Sequence, residues 1–300
     1  MRKIYDCFPF FNEFDILEIR LQELWDHVDY FVISEANTTH RGNPKPFYLL
    51  DNFERFKPYK DKIIHVPVTD MPGFHNGDYW PNERHQRDCL VRGLTNVTAE
   101  DVIMISDVDE LIRGECAAAI RTDFDHYLWA FRMPTFHYRF NYMWTTPLIF
   151  QVQGQALIAE QAAKLPTFSY TRDPLGFIWV NRAKNYDAEG QKCFVHAGWH
   201  FTNMGSSDHI AHKLTQFAHN PEDEAVRKNM AENFDVDEII ARREGSLVPG
   251  SKFDIVKLDE YFPKFILDNK DRFAKLILAD GEKSASEILS VIPLDSNLQY

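Results

Sequence analysis

The stretch DVIMISDVDEL, residues 101–111, decides how the chain is read. Five mostly apolar residues run directly into Asp107, Asp109 and Glu110. An apolar run of that length suits a buried strand, whereas neighbouring carboxylates repel one another and resist desolvation. Something must therefore solvate or neutralise them where the strand ends. In an extended segment residues two apart share a side, so Asp107 and Asp109 face one way and Val108 faces the core. Two carboxylates presented together suit a hard divalent cation, Mg²⁺ or Mn²⁺, which prefers oxygen ligands and shares its shell with phosphates. An EF-hand does not fit, because the sixth loop position is Ile112 where that loop requires glycine. The same letters, DVDE, recur at 235–238 ahead of a helical pattern. There Asp235 and Glu238 have the spacing of an N-terminal cap, favoured by the positive end of the helix dipole.

Outward from the first copy, strand-like and helix-like segments alternate. Residues 3–8 (KIYDCF) predict a strand, and Phe14, Leu17, Leu21 and Leu24 follow at helical spacing with Asn12 placed as a cap. Strands are predicted at 30–34 (YFVIS), 62–66 (KIIHV) and 102–106, with helices over 82–94 and from Gly114. This alternation predicts an α/β fold with a mainly parallel sheet flanked by helices. From about residue 126 aromatic segments (HYLWAFRM, FHYRFNYMW, LIFQVQ, FIWVN) predict an antiparallel extension of the same sheet. From 207 onward the pattern is mainly helical, with a Gly/Pro break at GSLVPGS, 245–251. We therefore expect residues 1–220 to form the main domain and 221–300 a helical extension packed on it.

Composition narrows the function classes. With 44% hydrophobic and 14% aromatic residues the chain can bury a large core, which excludes a disordered protein. A formal charge of −12 argues against a nucleic-acid binder, which needs a basic face. The four cysteines (Cys7, Cys89, Cys116, Cys193) form no CxxC pair, which fits reduced thiols. No apolar run approaches the roughly 18 residues of a membrane span. Asp6 interrupts what would be a signal peptide's apolar region, so the expectation is a cytoplasmic protein and chance sequons at Asn37 and Asn96.

In open α/β sheets ligands bind beyond the carboxyl ends of the strands. Three such ends carry polar groups: Asn12 and Glu13, then Glu35, then Asp107 and Asp109. The chain here resembles glycosyltransferase family 17. The resemblance rests on IYDCFPFFNEFDILEIRL (4–21), VDYFVISEANTTHRGNPKP (28–46), NERHQRD (82–88), VIMISDVDEL (102–111) and GWHF (198–201), in that order. It implies a GT-A type fold, a nucleotide-sugar donor (UDP-GlcNAc), a divalent metal, a glycan acceptor and inversion at the anomeric carbon.

By that resemblance Asp109 ligates the metal, Asp107 contacts the ribose or the metal, and His200 is a third ligand; packing beside Trp199 and Phe201 is the alternative for His200. Glu35 hydrogen-bonds the nucleoside or is a loop acid, and Asn12 reaches the base or caps its helix. Arg84 and Arg87, at i and i+3, share a helix face; one holds Asp107 or a phosphate, or both pair with Glu83 and Asp88. Arg41 and Lys45 meet the diphosphate or keep their loop soluble. Trp144 offers a sugar platform or belongs to a core strand pair. An inverting transfer needs one base for the acceptor hydroxyl. Asp208, otherwise a helix N-cap, and Glu110 are the candidates.

Three other classes compete. A nucleotidyltransferase needs a Gly-rich phosphate loop after its first strand, and CFPFFNEF has no glycine. A non-catalytic sugar-binding protein explains the aromatics but not three polar strand ends. A serine hydrolase lacks its GxSxG elbow.

Overall fold

The structure is a computed structural model that describes residues 2–73, 79–146, 152–165, 190–216, 232, 234–243 and 250–290. The strands in chain order are β1 (Ile4–Pro9), β2 (Tyr30–Ala36), β3 (Ile63–Val68), β4 (Val102–Ile105), β5 (Glu110–Ile112), β6 (Leu128–Arg132), β7 (Thr135–His137), β8 (Tyr142–Thr146), β9 (Val152–Ile158), β10 (Gln191–Val195), β11 (Gly198–Thr202) and β12 (Lys252–Ile255). Seven of them form the central sheet in the order β10-β6-β9-β4-β1-β2-β3. β3, β2, β1 and β4 run parallel, and β9 is antiparallel to both of its neighbours. The expected α/β class, with a mixed and mainly parallel sheet flanked by helices, is what the chain forms.

Strand alternation sorts the core into two layers. Ile4, Phe8, Phe31, Ile33, Val102 and Met104 face the helix Phe14–Leu24 and bury Leu17, Leu21 and Leu24 against it. The intervening residues Tyr5, Cys7, Val32, Ile103 and Ile105 pack with Cys89 and Leu90 on the opposite face. Asp6 lies between Tyr5 and Cys7 in register, so it points with Ile4 and Phe8 into the first layer. Arg20 stands in the buried stripe of the helix above it, at i+4 from Ile16 and i+3 from Leu17. The two form a fully buried pair, with Nη2 2.5 Å from Asp6 Oδ1 and Nε 2.7 Å from Oδ2. The rest of the guanidinium reaches beyond β4: Nη2 donates to Ser106 Oγ (2.7 Å), and Nη1 to the carbonyls of Asp107 (2.6 Å) and Glu110 (3.1 Å). One residue therefore ties β1, the first helix and the acidic loop together.

The aromatic region departs from expectation. β6, β9 and β10 do extend the central sheet, but β7 and β8 leave it and join a second sheet, β12-β8-β7-β11-β5. Pro134, between β6 and β7, has no N–H to continue a ladder, and its carbonyl accepts from His200 N (3.0 Å) in β11 instead. The close approach of β11 to β5 requires glycine at 198, where a Cβ would stand 1.8 Å from the Leu111 carbonyl oxygen. Beyond residue 220, the described segments are short helices plus β12, which pairs antiparallel with β8. The strand-like segment FIWVN, 177–181, and residues 245–249 of the Gly/Pro break lie outside the described residues.

The second DVDE behaves as a cap. Asp235 precedes the helix Val236–Arg242 and its Oδ1 accepts from the N–H groups of Asp237 (2.9 Å) and Glu238 (3.1 Å). The Glu238 side chain pairs with Arg242 along the helix.

Removing one partner of a buried pair leaves the other charge uncompensated, which costs about 3–5 kcal/mol. Arg20→Met should lose that much in urea denaturation, and adding Asp6→Leu should recover most of it. A loss below about 1 kcal/mol would make the pair worth no more than a surface ion pair.

Candidate active site

The acidic loop lies where the central and second sheets meet, because β4 belongs to one and β5 to the other. Its shape is set from inside. Glu110 is fully buried and its Oε2 accepts the Asp107 N–H (2.8 Å), while the Glu110 N–H donates back to the Asp107 carbonyl (3.1 Å). Glu110 is thus a loop-forming group with no exposed face, which corrects its candidacy as a base: an acceptor hydroxyl has no path to it.

Asp109 is buried and Asp107 is about a third exposed. His200, opposite Glu110 across the β11·β5 ladder, brings Nε2 to 3.7 Å from Asp109 Oδ1. Behind Asp109 stands Lys213, whose ammonium is 4.0 Å from Asp109 Oδ2 and 2.9 Å from Glu13 Oε1. Burial pushes the Asp109 carboxyl up, and the opposing pull of His200 and Lys213 only partly offsets it. Burial also pushes Glu13 up, but the Lys213 ammonium and the N–H groups it accepts outweigh that, so it stays below the usual carboxylate range. Lys213 moves the other way: burial lowers it, yet Glu13 and Asp109 hold it above the ordinary lysine value.

Asp107 is held by a second cation. Arg87 Nη2 lies 2.6 Å from Asp107 Oδ1 and 2.7 Å from Glu83 Oε1. The helix Trp80–Asp88 looks too polar to be buried, yet Asn82, Gln86 and Arg87 all face inward. Asn82 Nδ2 donates to the His40 carbonyl (2.6 Å), and Gln86 Nε2 to the carbonyls of Ser34 (3.0 Å) and Phe10 (3.3 Å). That side of the helix thereby satisfies backbone at the carboxyl ends of β1 and β2.

Other expected residues are placed differently. Arg84 is exposed while Arg87 is buried, so the i and i+3 positions straddle the edge of the buried face and do not share one role. Glu35 is a strand residue, fully buried; it accepts from Leu49 N (3.1 Å), lies 3.1 Å from His65 Nε2 and pairs with Lys45 at 3.6 Å. Neither Glu35 nor Lys45 (4% exposed, its ammonium over the Tyr48 ring) is presented to a nucleoside or a diphosphate. Arg41 stacks on Tyr79, with Cζ 4.2 Å from the ring centre. Asn12 does not cap its helix: Glu13 occupies the cap position without a side-chain cap, and its Oε2 folds back to the N–H groups of Asn12 (3.0 Å) and Phe11 (3.3 Å). Asp208 is exposed in the first turn of the helix Ser207–Gln216 and is not its cap. Ser206 Oγ, accepting from His209 N at 3.3 Å, takes that place. Trp144 is 9% exposed and packs with His137 and Phe253, which is the core alternative.

Sequence reasoning did not single out Arg20, Lys213, Gln86 or His137. For Arg20 a signal existed, a lone charge inside an apolar helical stripe. His137 lies on β7 beside β11, on the same face as His200 in the β7·β11 register. Its ring is enclosed by Tyr138, Trp144 and Phe253.

Ligands at about 2.0–2.2 Å from one ion can stand 3.7 Å apart, so Asp109 and His200 fit a shared cation. Asp107, drawn toward Arg87, stands beside this pair.

Comparison with known proteins follows the same line. Residues 1–147 match the family model described as glycosyltransferase family 17, so the resemblance read from the sequence is shown over that stretch. The chain is 24% identical, over 92% of its length, to the human enzyme named beta-1,4-mannosyl-glycoprotein 4-beta-N-acetylglucosaminyltransferase, and 24% identical to the rat enzyme of that name. These alignments cover 55% and 54% of the relatives, so the chain spans about half the length of the curated relatives it matches. Among solved structures it is similar to a mannosyltransferase from Pyrobaculum calidifontis in complex with GDP-Man and Mn²⁺ (TM-score 0.39, 15% identity, 72% of this chain and 63% of that one). It is also similar to the galactosyltransferase LgtC in complex with donor and acceptor sugar analogues (TM-score 0.34, 10% identity, 76% and 82%). No helix among the described residues is long and apolar enough to cross a membrane.

Burial, reinforced by His200, pushes the His137 imidazole down to about 3 from an ordinary 6.5. Below its ordinary value the unfolded chain takes up a proton that the folded protein refuses, so this residue makes stability fall as pH drops from about 6.5 toward 3. His137→Phe, which suits the aromatic enclosure, should flatten the loss of Tm between about pH 7 and pH 4.5. An acid limb as steep as the wild type's would show that His137 does not contribute to it.

Proposed function

We propose that the chain is a metal-dependent inverting glycosyltransferase that transfers GlcNAc from UDP-GlcNAc to a hydroxyl of a glycan acceptor. The observation that carries the reading is the pairing of Asp109 with His200, 3.7 Å apart, on a loop whose other acid is held by Arg87. The names of the relatives support the donor sugar, and the family match over residues 1–147 supports the class.

In this reading Asp109 and His200 hold Mn²⁺ or Mg²⁺, and the ion supplies Lewis-acid stabilisation of the charge that develops on the leaving diphosphate. Arg87 fixes the Asp107 carboxylate so that it meets the ribose or a water of the metal shell without searching rotamers. Lys213, between Glu13 and Asp109, offsets the charge of both acids in a buried place. Asp208, exposed on the helix that also carries Lys213, takes the acceptor's proton as the hydroxyl attacks opposite the leaving group. Arg41, on the rim with Tyr79, remains a diphosphate contact.

Calorimetric titration of UDP-GlcNAc with and without Mn²⁺ tests the donor site. Binding should require the metal and vanish in Asp109→Ala. Binding that persists in that variant would remove the metal role given to Asp109 and His200. Asp208→Asn should bind donor like the wild type while kcat falls by about 10²–10⁴-fold, the usual worth of a general base. An unchanged kcat would remove Asp208 from the mechanism.

A further inference from the structure

A second group of metal-ligating side chains lies on the other side of the helix that holds Asp107. Asp70, two residues beyond β3, comes together with His85 and Cys89, and their ligand atoms all lie within 4.8 Å of one another. His85 and Cys89 are four residues apart on continuous helical backbone, and the Cys89 N–H donates to the His85 carbonyl. That spacing sets an imidazole and a thiol on one face, one turn apart. The His85 Nε2 atom is buried and stands 3.4 Å from Asp70 Oδ1. The grouping is graded from a buried sulfur through a half-buried imidazole to an exposed carboxylate, so water has access from one side.

We propose that Asp70, His85 and Cys89 form a Zn²⁺ site, with water as the fourth ligand, that fastens the end of β3 to the helix Trp80–Asp88. The ligand types decide the metal. A thiolate with an imidazole selects Zn²⁺ over Mg²⁺ or Mn²⁺, which prefer the oxygen-rich acidic loop. Three protein ligands and an open fourth position is an arrangement zinc adopts readily. Arg92 supports the carboxylate from outside, with Nη1 2.9 Å from Asp70 Oδ1 and Nη2 2.7 Å from Oδ2, as hydrogen-bonded outer groups do for ligating carboxylates. Binding releases the Cys89 thiol proton to solvent as the Zn–S bond forms. Because a thiol must lose its proton to ligate, affinity should rise with pH. The opposite side of the same helix carries Arg87, so the ion would stiffen the element that positions Asp107.

Co²⁺ is the probe, added to the full chain in excess Mg²⁺ so that the acidic loop is occupied by a spectroscopically silent ion. A near-ultraviolet sulfur-to-cobalt charge-transfer band should grow to saturation at a single equivalent and be bleached by Zn²⁺. Cys89→Ser should lose the band. His85→Ala, a partly exposed position that leaves the core intact, should weaken Co²⁺ binding by more than the roughly 10–100-fold that removing an outer-shell partner costs. No thiolate band in the wild type, or a band of wild-type affinity in either variant, would overturn the site. If Cys89→Ser does not fold, the His85→Ala titration decides alone. None of these readouts depends on donor binding or transfer.

Discussion

The arrangement depends on a guanidinium with nowhere to go but inward. Arg20 is fully buried, and a buried cation is tolerable only if its donors all find acceptors. Asp6 takes two of them, and Ser106 and the carbonyls of the acidic loop take the others. A loop of successive acids would otherwise spread under its own repulsion. Here its backbone dipoles are turned onto a fixed cation, so the carbonyls point at Arg20 and the Asp107 and Asp109 side chains are turned away from it. The pair is a geometric device as much as a source of stability. Its desolvation cost is large, and what it secures is a loop conformation.

The question raised by a buried strand ending in carboxylates then has a fuller answer than a metal ion alone. Two alternating charge series run into the loop from opposite sides: Glu83–Arg87–Asp107 along one helix, and Glu13–Lys213–Asp109–His200 from the other. Asp107 and Asp109 each have a protein cation beside them before any ligand arrives. Lys213 shares its ammonium with Glu13, however, and sits 4.0 Å from Asp109 where it is 2.9 Å from Glu13. Asp109 is therefore the acid left least compensated, which agrees with the upward push on its carboxyl. That residual charge is what a divalent cation beside His200 would complete.

How much of this could be read in advance follows from the range of the forces involved. β1, β2 and β4 were legible because burial on both faces leaves a compact apolar run, β3 because its β-branched run is short and bounded, and Asp235 because a cap is local in sequence. The acidic pair was legible as a strand-end feature. The cations that pair with it were not, since Lys213 lies 104 positions from Asp109 and only the fold brings them together. The second sheet was hidden for a similar reason. β7 and β8 have the aromatic alternation of any strand pair, and nothing local says that Pro134 turns them away from β6 toward β11. The i and i+3 rule for Arg84 and Arg87 failed at finer grain: about 60° of helical rotation separates the two, enough to place one inside the sheet's edge and the other in water.

The polar helix Trp80–Asp88 shows why such a segment can be informative where hydropathy is silent. A helix with so little apolar surface cannot be held by burial, so its position must come from directed bonds. Asn82 and Gln86 donate to backbone carbonyls of Phe10, Ser34 and His40, at and beyond the ends of β1 and β2, and Arg87 satisfies Asp107. On the far side His85 and Arg92 converge on Asp70. Directed bonds on both sides fix a helix in rotation as well as in place, which an apolar stripe does only loosely. A loop that must present Asp107 at a constant angle gains from that rigidity, because a misplacement of about 1 Å at a reacting site can cost on the order of 10²-fold in rate. The helix is polar because its work is alignment.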